Sequence, residues 1–320
     1  MRGKRMLFLA GLAVAVLSVS GVKAADEIAV IVKTLNSSFW QHVNTGSLDA
    51  ESELKKAGKD IFISFNGPDA ETNIVEQVNM VENAVNRGVK ALVLAPSDPD
   101  ALVPPVRRAK QAGIPVIIID SLINGDDLYD SFLATNNLAA GELCAAELIK
   151  RVGGPDKTGK IAIMSYIAGV GSEIGRVGGF RDYIQKNSKL TIVNTYYSQA
   201  EMITALNQTT DVLSANPDLI GIFGANEPTA VGMGRAIKEN GWSGKIAAIG
   251  FDGDQNLQGF IRDGTLQGIA VQSPYNMGNL GVKAAQDAIE GKKLEKEIDT
   301  GIIFVTKDNV DSREAQNVLY

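Results

Sequence analysis

The amino-acid sequence predicts an α/β protein with parallel, doubly wound sheets, and three observations lead there. Short β-branched apolar runs recur along the chain: EIAVIVK, KALVLAP, IPVIIID, KIAIMSY, LIGIFGA, KIAAIGF and TLQGIAVQ. Each is continuously apolar rather than alternating, as expected of strands buried on both faces of a parallel sheet. Helical patterns lie between them, among them SLDAESELKKAG, TNIVEQVNMVENAVNRG, DALVPPVRRAKQAG and TAVGMGRAIKENG, each with apolar residues three and four apart and a closing glycine. Such repeated strand-turn-helix units wind with right-handed crossovers.

The first 24 residues stand apart. Arg2, Lys4 and Arg5 precede the apolar run Met6 to Val19, and Val22 and Ala24 are small residues where a signal peptidase reads. That run falls short of the roughly 20 residues needed to span a bilayer. A cleaved signal peptide over residues 1–24, cut near Ala24, is the expectation, and with it a periplasmic location. No cysteine stands at that site to carry a lipid anchor. The removed segment holds four basic and no acidic residues, so the formal charge moves from −6 to −6 − 4 = −10. An acidic chain of this kind is a poor partner for nucleic acid or an anionic membrane surface.

Cys144 is the one cysteine, so stability must come from a large core rather than from disulfides. Its setting in AAGELCAAELIK predicts an inert buried thiol. Seven βα units in the remaining length suit one barrel or two open sheets. Two breaks in the rhythm, NGDDLYDSFLATNN at residues 124 to 137 and QSPYNMG at 272 to 278, are explained by two lobes joined by more than one crossover.

In open α/β sheets, ligands bind beyond the carboxyl ends of the strands. The residues there are Lys33, Ser37, Phe39 and Trp40 after the first run and Asp120 after the third. Arg176 follows the fourth, Asn226 and Glu227 the fifth, Asp252 the sixth, and Gln272 ends the seventh. Carboxylates and amides suit hydroxyls that both donate and accept, an arginine fork holds two oxygens, and aromatic rings cover C–H faces. Lys33 and Arg176 balance Asp120 and Asp252, so a closed site could bury all four as paired ions around a neutral ligand. The combination points to a hydroxyl-rich neutral ligand, a sugar or polyol. Phe39 and Trp40 have an alternative reading as core residues, and Asp120 and Asp252 as loop or helix caps.

The ordered set VIVKTLNSSFW, IPVIIID, IAGVGSEIGRVGGF, GIFGANEPTAVG, AAIGFDG and IAVQSP resembles the ribose, allose and galactose group of periplasmic binding proteins, the solute receptors of ABC sugar importers, from about Ala25 to Phe304. The resemblance implies two Rossmann-like lobes joined by a three-crossover hinge that closes over the sugar. Residues 25–135 plus 273–302 would form the N-terminal lobe and 136–272 plus 303–320 the C-terminal lobe. It further implies a ligand set of Lys33, Ser37, Phe39, Trp40 and Asp120 from the N-lobe, with Arg176, Asn226, Asp252 and Gln272 from the C-lobe and hinge. A monosaccharide or polyol ligand, an ABC permease partner in the inner membrane, a monomeric state and no cofactor follow as expectations. The lysine and the Phe-Trp pair resemble the allose receptor more than the ribose one.

The chain departs from that pattern at Ser121, where ribose receptors carry arginine, at Ala95, where they carry asparagine, and at Ala200, where the family has an aromatic. Tyr196 or Tyr197 is the candidate replacement for that aromatic. Enzymatic readings lack support. His42 is the sole histidine, GVGSEIG has the wrong spacing for a dinucleotide loop, and no GxxxxGK[ST] occurs. Asp252 opens a calcium-loop-like stretch, but Leu257 stands where glycine is needed and Asp263 where glutamate is expected. The alternatives to a transport receptor are a sugar-modifying enzyme on the same fold and the sensing domain of a regulatory or chemotaxis system.

Overall fold

The computed structural model describes residues 25–320, so the leader expected over residues 1–24 lies outside them. In chain order the first elements are β1 (Asp26–Ile31), α1 (Ser38–Lys56), β2 (Ile61–Asn66), α2 (Ile74–Arg87), β3 (Ala91–Leu94), α3 (Val103–Gln111), β4 (Val116–Ile119) and β5 (Ser131–Ala134). There follow α4 (Asn137–Val152), β6 (Thr158–Ser165), α5 (Gly171–Asn187), β7 (Lys189–Tyr197), α6 (Met202–Ala215), β8 (Leu219–Gly224), α7 (Glu227–Glu239), β9 (Ala247–Phe251), α8 (Gln255–Asp263) and β10 (Gly268–Gln272). The chain closes with α9 (Pro274–Ile289), β11 (Glu297–Asp299), β12 (Ile302–Val305) and α10 (Arg313–Gln316).

These strands make two six-stranded sheets, ordered β11-β5-β4-β3-β1-β2 and β12-β10-β9-β8-β6-β7. The two orders superimpose element for element, with β1 in the place of β6 and β4 in the place of β9. Only the last strand differs, since β11 runs parallel to β5 whereas β12 runs antiparallel to β10. The chain passes between the sheets three times: after β5, after β10, and between β11 and β12. The third passage is at residues 300–301, where Gly301 turns with φ of 83°. Ile302 therefore lies in the second sheet and not, as the sequence reading had it, with the first.

All seven apolar runs are strands, and β1 shows why they lack alternation. Ile28, Val30 and Val32 face one core, while Ala29 and Ile31 face another on the opposite side of the sheet. Burying both faces makes every position apolar, at roughly 1.5–3 kcal/mol for each large aliphatic side chain. Sequence periodicity did not reveal β2, β5, β7, β11 or β12. β2 and β7 are sheet edges with mixed exposure, while β5 is four residues long and lies inside the stretch read as a break.

Closely packed helix pairs flank the sheets, among them α1 with α9 in the first lobe and α4 with α5 in the second. Small residues let the backbones approach: a Cβ on Gly278 would lie 2.0 Å from the Val43 carbonyl oxygen, and one on Gly141 would lie 2.0 Å from that of Arg176. The second contact matters to the site, because α5 carries the Arg176 side chain. Gly141→Ala is expected to destabilise the protein by about 1–3 kcal/mol in urea unfolding, the ordinary cost of overpacking. Gly259→Ala, in an exposed helical position with open space around it, is expected instead to stabilise by about 0.5–1 kcal/mol. Equal effects at the two positions would contradict the close approach.

Candidate functional site

Every residue of the predicted ligand set lines one cavity of about 320 Å³ between the two sheets. Lys33, Ser37, Phe39, Trp40 and Asp120 come from the first-sheet lobe; Arg176, Asn226 and Asp252 come from the second, and Gln272 ends β10 where the chain crosses over. The site arises because parallel strands direct all their carboxyl ends to one edge, and the loops of the two sheets face each other there.

The two aspartates occupy matching places. Asp120 follows β4 and Asp252 follows β9, and both have left-handed backbone, with φ of 62° and 75°. Each donates its own N–H to the neighbouring strand, Asp120 to the Leu133 carbonyl at 3.0 Å and Asp252 to that of Ala270 at 2.8 Å. Left-handed backbone costs a non-glycine residue about 1–3 kcal/mol and persists only where the surroundings impose it. Its effect here is to turn a carboxylate from each lobe into the cavity.

Asp120 is ion-paired with Lys33, Nζ to Oδ2 at 2.7 Å, with both side chains buried. Lys33 also donates to Ser121 Oγ at 2.6 Å, and its Nζ lies 5.9 Å from the Trp40 ring centre. Phe39 and Trp40 pack edge to face with ring centres 4.8 Å apart. On the opposite wall Arg176 stacks on Phe251, its guanidinium carbon 3.6 Å from the ring centre. Its N–H groups donate to Asn137 Oδ1 and to the Ala225 carbonyl. Arg176 is thus held by the second lobe, and Glu173, one turn earlier on α5, accepts from Ser165 and Gly169 rather than from Arg176.

Asp252 makes no direct ion pair with Arg176; it accepts from Gln272 Nε2 at 2.9 Å and from the Glu227 backbone N–H at 2.8 Å. Burial pushes its carboxyl up to about 6, against the pull of the Arg176 charge and those two bonds. With Nε2 committed to Asp252, the Gln272 Oε1 is a buried acceptor with no partner in the protein. Such an atom is costly unless a bound group donates to it. Asn226 caps α7 by accepting from the Thr229 N–H through Oδ1, which leaves its amide nitrogen to donate into the cavity. The capping role considered for the aspartates is thus filled at α7 by Asn226 and at α8 by Asp254.

Five more residues line the cavity outside the predicted set: Glu71, Tyr166, Ser172, Glu227 and Pro228. Trp40 Nε1 donates to Glu71 Oε1 at 3.1 Å, and burial raises that carboxyl, with the Lys33 charge and the Trp40 bond partly offsetting it. Burial, then the charges of Asp252 and Asp254, push Glu227 up to about 8. The balanced set of four charges is therefore a set of six ionisable groups, in which the surplus carboxyls are biased toward their neutral forms. Tyr166 is the tyrosine of the cavity, and its hydroxyl donates to Ser172 Oγ at 2.8 Å. Neither Tyr196 nor Tyr197 lines it; Tyr196 packs on the second-lobe core. Ala200 lines an adjoining cavity of about 540 Å³ that shares Ser37, Glu71 and Pro228 with the first.

Tyr166 immediately follows β6, so the strand-end rule could have found it. Glu71 follows β2, a strand not recognised in the sequence, so that rule had nothing to apply to. His42 lies outside the cavity with Nδ1 2.9 Å from the Ser38 carbonyl oxygen, and Cys144 is fully buried with its thiol raised by burial. No helix among the described residues is long and apolar enough to cross a membrane.

Two open α/β sheets, linked by three passages of chain and enclosing a polar cavity between their strand ends, define a two-lobed binding protein of the type I periplasmic class. The chain belongs to the periplasmic binding protein domain family, whose pattern matches residues 28–293. It is 30% identical over 297 residues to the D-allose-binding periplasmic protein of Escherichia coli K12, covering 91% of this chain and 93% of that one. It is also 30% identical to the ribose import binding protein of Bacillus subtilis 168, covering 90% of both chains. Among solved structures it is similar to an ABC transporter solute-binding protein of Agrobacterium vitis with bound D-fucose, at 61% identity and a TM-score of 0.89, covering 92% of this chain and all of that one. A solute-binding protein of Agrobacterium radiobacter in complex with D-arabinose is 35% identical, with a TM-score of 0.87 and coverage of 93% and 100%.

The buried Lys33 and Asp120 pair gives a direct test of the electrostatics. Lys33→Met leaves a buried carboxylate without its cation and is expected to destabilise by about 3–5 kcal/mol in urea unfolding. Adding Asp120→Asn to that variant is expected to recover part of the loss. Additive losses in the double variant would mean that the two side chains do not depend on each other.

Proposed function

We propose that this chain is the solute-binding receptor of an ABC importer that captures a neutral monosaccharide by closure of its two lobes and delivers it to an inner-membrane permease. The observation that carries the reading is the convergence of Asp120 and Asp252, one from each lobe and both in left-handed backbone, on a single cavity of about 320 Å³. Lys33, Arg176 and the Asn226 amide offer donors; Asp120, Asp252 and Gln272 Oε1 offer acceptors; Phe39 and Trp40 cover an apolar ring face. A neutral ligand suits the charge set, since Lys33 is engaged by Asp120 and the Arg176 charge already acts on the buried Asp252.

The A. vitis protein with D-fucose makes that sugar the first candidate. In D-fucose a methyl group replaces one hydroxymethyl, leaving four hydroxyls for the polar groups and an apolar edge for the aromatic pair. In this reading the protein binds without chemistry, acts as a monomer in the periplasm after removal of residues 1–24, and moves as two bodies divided near residues 135, 273 and 301. The sensing and enzymatic alternatives have no particular feature of the cavity in their favour.

A thermal-shift screen of the mature protein against aldohexoses, 6-deoxyhexoses, pentoses, ketoses and alditols, with NAD and divalent metals as controls, tests this. A sugar at 100 times its dissociation constant is expected to stabilise by about 2.7 kcal/mol, a rise of a few degrees. Shifts with NAD or metal alone would sink the receptor reading. Asp252→Ala is expected to weaken D-fucose binding by more than about tenfold in calorimetric titration, because a hydrogen bond to a buried charge contributes about 1.5–3 kcal/mol. An unchanged dissociation constant would remove Asp252 from the site.

A further inference from the structure

We propose that Glu227 and Tyr320 form a latch between the lobes that holds the closed arrangement and couples it to the ligand carboxylate Asp252. The inference rests on the receptor reading above and adds to it a residue pair whose work is to set how long the lobes stay shut.

The need for such a latch is visible at the start of α1. The first N–H groups of a helix lack intrahelical partners. Ser37 occupies the N-cap with extended backbone, yet its side chain makes no capping bond, and the first turn contains no acidic residue. The cap comes from the other lobe: Ser38 N–H donates to Glu227 Oε1 at 3.2 Å and Phe39 N–H to Oε2 at 2.8 Å. One carboxyl thus closes two open donors at the positive end of a 19-residue helix. Opening of the lobes would strip both partners away at once.

Tyr320 holds that carboxyl from the far side. Its hydroxyl donates to Glu227 Oε2 at 3.2 Å. Its backbone is tied to the second lobe, N–H to the Gly253 carbonyl at 3.1 Å and carbonyl oxygen to Gln258 Nε2 at 3.1 Å. Its ring leaves that lobe, packs on the first-lobe core, and lies 4.5 Å from the His42 ring of α1. The residue is a strap with its backbone in one lobe and its side chain on the other. Glu227 in turn reaches the ligand cavity through its own N–H, bonded to Asp252 Oδ2 at 2.8 Å. Both oxygens of Glu227 are engaged by protein donors, as are both of Asp252, whereas Asp120 accepts from Lys33 and Ser121 through Oδ2.

The groups facing Glu227 are Asp252 and Asp254 of the β9–α8 turn and the Tyr320 hydroxyl, with His42 beyond the Tyr320 ring. Burial, and then the two carboxylates, raise the Glu227 carboxyl to about 8. Its ordinary value is 4.5, and an open cleft exposes it to water. Closure therefore captures a proton, and this contribution to the closed form is fully present below about 4.5, falls as pH rises from there, and is gone above about 8.

The test uses the mature full chain with D-fucose as probe. Glu227→Ala is expected to raise the dissociation constant about tenfold or more, mostly through faster release in stopped-flow measurements, with Tyr320→Phe changing it in the same direction by less. Without sugar, the melting temperature of both variants is expected to match wild type, because a latch acts only between closed lobes. Glu227→Gln is expected to flatten the fall in affinity that wild type shows between about pH 5 and 8. The latch is overturned if Glu227→Ala leaves affinity and release unchanged, or if it lowers the sugar-free melting temperature as much as the sugar-bound one, which is a structural role. Absence of D-fucose binding by wild type would instead count against the choice of sugar. X-ray scattering with the sugar that raises the wild-type melting temperature in the screen then decides the latch: a more open Glu227→Ala protein supports it, and identical profiles overturn it.

Discussion

Two aspartates forced into left-handed backbone at the ends of β4 and β9 set the geometry on which the rest of the site depends. Each follows an apolar strand and bonds its N–H to the next strand, so its position is fixed by the sheet rather than by a loop. The strain of about 1–3 kcal/mol at each is borne by sheets packed on both faces, in which every residue of β4 and β9 is buried. Around these two fixed carboxylates the other groups fall into order. Lys33 answers Asp120 directly, while Gln272 and the α7 backbone answer Asp252. One wall is therefore a buried ion pair, and the other is a carboxylate held by neutral donors, with the Arg176 charge acting from nearby.

This asymmetry explains how the cavity tolerates so many ionisable groups. An ion pair taken from water loses hydration that its Coulomb attraction only partly returns. Lys33 and Asp120 add Ser121 as a third member, and Ser121 in turn bonds Ser172 of the opposite lobe at 2.9 Å. Ser121 therefore has a part of its own: it accepts from Lys33, which lies just beyond β1, and it touches the other lobe. Glu71 and Glu227 exceed the available cations, and burial biases both toward neutrality. The cavity is polar without being strongly charged, a setting that suits many hydroxyls and no net charge.

Much of this was legible in the sequence because buried parallel strands announce themselves. Val116 to Ile119 faces two cores, so all four residues are apolar, and the next residue, Asp120, stands out as the strand end. The same logic located Lys33, Asp252 and Gln272. It failed where the physics leaves a weaker trace. β2 is an edge strand with partly exposed residues, so neither it nor Glu71 beyond it was recognised. β5 is short and sits among acidic and turn residues, so it read as an interruption. Glu227 was noted as a strand-end residue, but its bonds reach the N-terminus of a helix nearly two hundred positions away, a pairing that no local pattern encodes. Tyr166 directly follows β6 and so falls under the strand-end rule, whereas the aromatic missing at Ala200 points along the chain to Tyr196 and Tyr197.

The most direct test of the central claim is a crystal structure of the mature protein with D-fucose. The account predicts one sugar ring in the cavity beside Phe39 and Trp40, with hydroxyls within hydrogen-bond distance of both Asp120 and Asp252. Both aspartates would keep their left-handed backbone. A sugar seated against one lobe alone, or outside this cavity while the two carboxylates bond only to protein, would contradict it.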